Sequence, residues 1–169
     1  SYLLRRWIVR GRHDNVEPFN VEMAMGKIWF RDVSLEQLAK VGKGTMVEHV
    51  GIEVVEVGDD FLRGRMPVDH RTRQPFGILH GGASVVLAET LASIGCQFTI
   101  DWERYRAVGL EINANHIRAV PQGHVTGTAR PFHLGRRTQV WEIQLHDDRG
   151  KLSCVSRITM AIIEREANV

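Results

Sequence analysis

The chain has 169 residues, of which 43% are apolar and 25% charged, and its formal net charge is +2. These values predict one globular domain with a single sizeable core and exclude a disordered chain. The net charge is too small to argue for nucleic-acid binding, and no apolar run is long enough to span a membrane. We therefore expect a soluble, cytoplasmic protein with no nucleic-acid or membrane partner.

Residues 1–26 differ from the rest of the chain, because arginines and apolar residues mix there without a clean period. We expect an N-terminal extension that docks loosely, or leader residues. The alternative is an amphipathic surface helix around residues 2–9 that packs on a neighbour or touches a membrane. The compact domain is expected at 27–163, followed by a frayed tail at 164–169.

The first half of the compact domain predicts a short helix and then a hairpin. Ser34 and Gln37 have the spacing of a capping box, and Gly42 ends the helix that they begin. Further on, two extended runs flank a Gly-Asp-Asp turn, which predicts a β-hairpin. The other predicted segments are a helical turn at 45–49 and strands at 52–57 and 61–66.

The stretch 80–96 is mostly apolar and opens with two glycines, and its length and periodicity predict a buried helix. Ser84 is a candidate cap at its start, and Gly95 is expected to weaken its end. Between residues 81 and 100 the only charged side chain is Glu89. Burying a carboxylate is costly unless it is paired, so an acid in this position usually has a function.

Four extended runs follow this helix and are separated by short turns, which predicts an antiparallel meander. Together with the hairpin they form one sheet, and the buried helix covers one face of it. The fold class is therefore expected to be α+β. The four runs are 108–117, 124–132, 138–146 and 152–163.

Several kinds of site are disfavoured. Cys96 and Cys154 lie in apolar segments and are interpreted as small buried residues in a reducing compartment. No histidine or cysteine spacing predicts a metal site, and no phosphate loop or dinucleotide fingerprint is present. The segment 82–86 lacks the closing glycine of a nucleophile elbow. We expect neither a metal nor a cofactor.

Glu89 and the glycines before it indicate carbonyl chemistry. The first amides of a helix have no internal acceptor, and Gly81 and Gly82 let a substrate approach them. One such donor to a developing oxyanion is worth about 10²–10³ in rate. A nearby carboxylate can attack a carbonyl directly or deprotonate a water. The alternative is that Glu89 pairs with an arginine across a packed interface and that the glycines serve only close packing.

Three blocks occur in order along the chain: QPFGILHGGASVVLAE at 74–89, VGLEINANH at 108–116 and HLGR at 133–136. They closely resemble the hotdog-fold acyl-CoA thioesterases of the phenylacetic-acid and enterobactin-proofreading group. The likeness runs from about residue 27 to residue 163 and leaves 1–26 outside. It implies a hotdog fold, in which a curved antiparallel sheet wraps around one long central helix.

The resemblance also implies catalytic roles. Glu89 would act as nucleophile or general base, and the Gly81 amide would bind the thioester oxygen. His80 and Gln74 would position the thioester and water, and Ser93 would help to place the hydrolytic water. In the family, Glu89 of one subunit faces Gln74, His80 and Gly81 of another, so the resemblance implies a homodimer, with dimers pairing into a tetramer.

The coenzyme A portion would lie along two further stretches. Their arginines suit phosphate groups, although solvated charge at strand ends is an alternative interpretation. His116 is equally consistent with a core histidine. The substrate-binding residues that the resemblance implies are Gly82, Gly109, His116, Ile117, Arg118, Ala119, His133, Leu134, Gly135, Arg136, Arg137 and Thr138.

The expected reaction is hydrolysis of an acyl- or aroyl-CoA thioester, with dihydroxynaphthoyl-CoA among the aromatic candidates. Coenzyme A is then part of the substrate. An apolar wall of Phe76, Ile78, Leu79, Val86 and Ile94 would accept an aromatic ring or a medium alkyl chain. The alternatives are a thioesterase for carrier-protein-bound acyl groups and a non-catalytic acyl-CoA binding protein.

Overall fold

One long helix lies against the face of a six-stranded sheet in which all neighbouring strands pair antiparallel. The computed structural model describes residues 26–165. The predicted α+β class and the sheet around one central helix are confirmed. The elements are α1 (Leu35–Val41), α2 (Met46–His49), β1 (Glu53–Val57), β2 (Leu62–Pro67), α3 (Gly81–Phe98), β3 (Tyr105–His116), β4 (His124–Leu134), β5 (Thr138–Asp147) and β6 (Leu152–Glu164).

The order of the strands, β1-β2-β4-β5-β6-β3, departs from the predicted meander. β4, β5 and β6 follow one another as expected, but β3 pairs with β6 at the far edge of the sheet, and β2 pairs with β4. The alternation of apolar residues specifies which face of a strand is buried, but it does not specify the neighbouring strand. The twelve-residue strand β3 is consequently an edge strand of the sheet.

Small residues allow α3 to approach the sheet closely. Leu91 is fully buried, and Gly64 of β2 and Gly127 of β4 leave room for its methyl groups. Gly95 does the same for Trp141 of β5, because a Cβ atom on Gly95 would lie 2.8 Å from the indole ring. Gly95 is therefore a packing position, and the helix continues past it to Phe98. The expected weakening of the helix end stays a prediction.

The predicted short elements are confirmed. Ser34 and Gln37 form the capping box of α1, Gly42 is its C-cap, and the predicted helical turn is α2. The hairpin corresponds to β1 and β2. The proposed surface helix at residues 2–9 lies outside the described residues, as does most of the expected tail. Glu164 still pairs with β3, through Tyr105.

Both cysteines are buried, as the sequence predicted. Burial raises the pKa of the Cys96 thiol to about 12, and it also raises the pKa of Cys154. Across residues 26–165, no helix has the length and apolar character needed to cross a membrane.

Candidate active site

The N-cap of α3 is His80, and the prediction of Ser84 as the cap is wrong. The Nδ1 atom of His80 accepts a hydrogen bond of 2.8 Å from the Gly82 N–H. Ser84 is buried within the first turn and donates its N–H to the His80 carbonyl. An accepting Nδ1 places the proton of the neutral imidazole on Nε2. The imidazole thus satisfies one of the amides that a helix start leaves open.

The Gly81 amide has no acceptor within residues 26–165, so it is available to a ligand. The imidazole of His116, at the end of β3, packs directly against this glycine. A Cβ atom on Gly81 would lie 2.9 Å from His116 Nε2. The amide therefore carries the positive end of the helix dipole at a point where only a glycine fits without displacing the imidazole.

This helix start opens onto a cavity of about 300 Å³. Ile78 and Leu79, from the predicted apolar wall, also line it, and Ser84 and Ser153 are lining residues that the sequence analysis missed. Glu89 does not reach this cavity. The cavity brings together six of the predicted site residues: Gln74, Gly81, His116, Ile117, Arg118 and Ala119.

Glu89 lies on the same helix, partly buried and close to β3. A Cβ atom on Gly109 would lie 2.7 Å from Glu89 Oε1, so the glycine lets the edge strand pass beside the carboxylate. Burial raises the pKa of Glu89, and the Ser93 hydroxyl one turn further along partly opposes this shift. Among residues 26–165 no cation forms an ion pair with Glu89. The alternative of a Glu–Arg pair thus has no partner in the described part of the subunit.

One chain does not bring Glu89 and Gly81 together. They are eight residues apart on α3, which at a rise of 1.5 Å per residue is about 12 Å along the helix axis. Reacting groups must approach to about 3–3.5 Å. The carboxylate lies beside Gly109 and the Gly81 amide lies beside His116, seven residues apart on β3, so the two groups do not meet at one carbonyl within the same subunit.

The predicted coenzyme A residues are divided in the same way. Thr138 pairs with Ala161 of β6, whereas His116 pairs with Cys154. These positions on β6 are seven residues apart, or about 23 Å along the strand. The turn from His133 to Thr138 is closed by the Gly135 N–H, which donates to the Thr138 carbonyl at 3.0 Å.

The three arginines of the predicted coenzyme A site have no ion-pair partner among residues 26–165. Arg118 lines the cavity at Gly81, whereas Arg136 lines a separate cavity near Tyr105. Arg137 accepts the Ile162 N–H with its backbone carbonyl. Their guanidinium groups therefore remain available to an anionic ligand, but at two different ends of the sheet.

Another cavity, of about 620 Å³ and mainly apolar, begins at Ser93, one turn beyond Glu89 on α3, and was not predicted from the sequence. Of the expected apolar wall only Ile94 lies here, and Phe76 is 87% exposed in a single chain. The sequence does show a cluster of aromatic residues between α3 and β3, namely Phe98, Trp102 and Tyr105, which could have indicated this cavity. The contact of this cluster with α1 was not predictable from the sequence. The residues that define the cavity are Ser93, Ile94, Gln97, Phe98, Trp102 and Tyr105.

Comparisons with known proteins agree with this architecture. The thioesterase superfamily matches residues 76–154. The chain is 51% identical over 136 residues to 1,4-dihydroxy-2-naphthoyl-CoA hydrolase of Escherichia coli K12, which covers 80% of this chain and 99% of that protein. It is also 51% identical over 136 residues to the proofreading thioesterase EntH of Cronobacter turicensis, with 80% and 98% covered. A solved mutant thioesterase from Pseudomonas aeruginosa has a TM-score of 0.81 and 47% identity, over 82% of this chain and 100% of that one.

The chain belongs to the thioesterase superfamily, and its sheet and central helix are those of the hotdog thioesterases. It is a thioester hydrolase, in agreement with the names of its relatives. The resemblance found in the three sequence blocks is confirmed, and the alternative of a non-catalytic binding protein is set aside.

We expect Gly109→Ala to reduce kcat while the protein stays folded. The added methyl group would displace the end of the flexible Glu89 side chain rather than the backbone. A misplacement of about 1 Å can cost about 10²-fold in rate. Steady-state kinetics and thermal melting would check this. Unchanged kcat in Gly109→Ala would show that the position of Glu89 does not matter.

We expect Glu89→Gln to stabilise the fold at neutral pH. Because burial raises the pKa of Glu89, the folded state binds the proton more tightly than the unfolded state does. The stability of the native protein should therefore fall as pH rises from the ordinary glutamate pKa through the raised one. The stability difference between variant and native protein should be greatest above this window and should disappear below it. Urea unfolding at several pH values measures it, and a constant difference would contradict the prediction.

Proposed function

We propose that the protein, acting in the cytoplasm, hydrolyses an acyl- or aroyl-CoA thioester to the free acid and coenzyme A. Its candidate substrates include 1,4-dihydroxy-2-naphthoyl-CoA and related aromatic esters. The observation that carries this proposal is Glu89, a carboxylate with a raised pKa and no ion pair in the described chain, whose hydrogen-bond partner Ser93 lines a mainly apolar cavity. The name of the Escherichia coli relative supports an aromatic acyl group.

The proposed site forms between two subunits. Glu89 touches Gly109 on β3, and Gly81 touches His116 at the end of the same strand. Antiparallel pairing of two β3 edges about a two-fold axis midway between these contacts places the partner's His116 opposite Gly109. Glu89 then faces the partner's Gly81, which completes the pair of reacting groups.

The exposed surface of the single chain supports this dimer. A long unpaired edge strand is normally covered by another element or chain. Leu110, at a β-bulge in β3, is 62% exposed, and Ile117 just after the strand is 56% exposed. A second copy would cover both. The assembly of two such dimers into a tetramer rests on the family resemblance alone.

In the general-base route, the thioester oxygen accepts the N–H of the partner's Gly81. Glu89 takes a proton from a water, and the water oxygen bonds to the carbonyl carbon. The C–S bond then breaks, and the coenzyme A thiolate leaves and takes up the proton. Gln74 and His80 of the partner subunit orient the thioester and water, and Ser93 holds the water beside Glu89.

In the nucleophilic route, a Glu89 oxygen attacks the carbonyl carbon and expels the thiolate, and water then hydrolyses the resulting anhydride. Both routes require ionised Glu89. Because its pKa is raised, activity should increase as pH rises through that value. After a single turnover in ¹⁸O-labelled water, ¹⁸O in the Glu89 carboxylate would establish an anhydride that water opens at the glutamate carbon, because the general-base route cannot introduce this label.

The same two-fold pairing reunites the proposed coenzyme A site. The end of one chain that carries His116 and Arg118 comes beside the partner's β4–β5 turn, because the paired strands run in opposite directions. Arg118 and the partner's Arg136 and Arg137 would then bind the phosphates of one coenzyme A molecule. The stretches 116–119 and 133–138 thus serve one ligand from two subunits, with Gly82 and Gly109 beside its reacting end.

The second candidate is a thioesterase for carrier-protein-bound acyl groups. Arg118, Arg149 and Lys151 line an open cavity of about 640 Å³ that adjoins the cavity at Gly81. Such cations suit an acidic protein surface as well as phosphates, although Asp147 and Asp148 line the same cavity. Comparing kcat/KM for one acyl group on coenzyme A and on carrier protein decides between the two substrates.

Gly81→Pro should lower kcat for CoA thioesters by about 10²–10³ relative to Gly81→Ala, because only proline removes the N–H that binds the oxyanion. Proline is well tolerated at the first position of a helix. The His80 backbone, at φ −69° and ψ 134°, already has the extended conformation that a following proline requires. Release of free thiol measures the reaction. Equal rates in the two variants would remove the Gly81 amide from the mechanism.

Mixing inactive Glu89→Gln and Gly81→Pro chains should restore part of the activity. A mixed dimer contains one intact site, because Glu89 comes from one chain and Gly81 from the other. The chains are to be refolded together, and each chain refolded alone is the control. If both groups acted within one subunit, the mixture would stay as inactive as its components.

A further inference from the structure

The apolar cavity that begins at Ser93 is lined by an aromatic wall around Trp102. This indole packs edge-on against Phe98, with ring centroids 5.2 Å apart, and against Phe30 at 6.4 Å. The Arg31 guanidinium lies over it, 4.9 Å from the ring centroid. The wall is therefore built from α3, from the loop after α3 and from a segment about 70 residues earlier in the chain.

The backbone around Trp102 is also held firmly. Arg165 donates a hydrogen bond of 3.0 Å to the Trp102 carbonyl. Arg31 forms ion pairs with both neighbours of the tryptophan, at 2.8 Å to Glu103 and 3.7 Å to Asp101. Contacts from both ends of the described chain thus fix the indole at the end of the cavity.

The side of the cavity is fixed by Gln97. Its amide donates to the Tyr105 carbonyl at 3.3 Å and accepts the Ala107 N–H at 2.9 Å. This side chain joins α3 to the beginning of β3, so the helix and the strand that line the cavity cannot separate easily. The depth of the cavity is then set by the residue at its far end.

The cavity extends from Ser93, whose side chain hydrogen-bonds Glu89, towards Trp102. Ser93 and Gln97 follow Glu89 by four and eight residues on α3, which places them about 6 and 12 Å further along the axis. Trp102 lies beyond the C-cap of the helix, Thr99. A cavity of about 620 Å³ is within the range of small-molecule sites.

We propose that Trp102 sets the longest acyl group that the enzyme accepts, and that Arg31 is a positioning residue that holds the indole in place. The acyl group enters beside Glu89 and extends along α3 until it meets the indole. The substrate class is then a bicyclic aromatic or a medium-chain acyl thioester, and longer chains are rejected at the wall. This inference rests on the proposed function, because it assumes a CoA thioester at Glu89.

The test measures kcat/KM for a series of CoA thioesters, from butanoyl through octanoyl and dodecanoyl to hexadecanoyl, together with benzoyl and naphthoyl. Trp102→Ala should raise the value for the longest chains by about tenfold or more relative to butanoyl. Trp102→Leu, which retains more of the apolar packing, should shift the preference in the same direction. It replaces the alanine variant in this test if the alanine variant fails to fold.

Arg31→Ala should shift the preference towards longer chains by a smaller factor, because the indole remains but is less firmly held. Arg31→Lys should partly restore the native profile, since it keeps a cation near the ring. Lys27→Ala is the matched control: it removes a cation from the same segment, where Lys27 pairs with Asp32 at 3.5 Å.

Two negative results are distinguishable. If the native protein cleaves none of the thioesters, the proposed function fails, and this inference fails with it. If the native protein is active but Trp102→Ala and Trp102→Leu change every substrate by the same factor, Trp102 does not limit acyl length and only this inference is overturned.

Discussion

A single rigid helix fixes the distance between the two groups that the proposed reaction requires. Gly81 and Glu89 are separated by about 12 Å of rise along the axis of α3. The Glu89 carboxylate lies beside Gly109, whereas Gly81 lies beside His116, seven residues further along β3. A second copy of the chain is therefore a chemical requirement of the proposed mechanism rather than an additional feature of the enzyme.

The edge strand β3 connects the two half-sites. It touches α3 near Gly109, where the carboxylate lies, and at His116, where the helix begins. Each contact depends on a glycine, so the strand and helix approach more closely than side chains would permit. When two copies pair through this strand, the Gly109 end of one β3 lies beside the His116 end of the other. The same symmetry unites the divided coenzyme A residues, so catalysis and ligand binding have one structural origin.

The sequence predicted most of the local structure but only part of the site. The capping box at Ser34 and the apolar period around Glu89 depend on near neighbours, and both were correctly interpreted. The position of β3 and the capping of α3 by His80 were missed, since strand order is a long-range property and histidine is not a usual capping residue. The aromatic wall was missed for a related reason: Trp102 is held by Arg31, and sequence alone does not indicate that these residues meet.

The burial of both cysteines has a consequence for an enzyme whose product is a thiol. Thiol–disulfide exchange requires an accessible thiolate. With its pKa at about 12, Cys96 is almost entirely protonated at physiological pH, and Cys154 is shielded in the same core. The folded protein should therefore not exchange with the disulfide form of coenzyme A, so oxidation of its thiol product does not lead to its inactivation by this route.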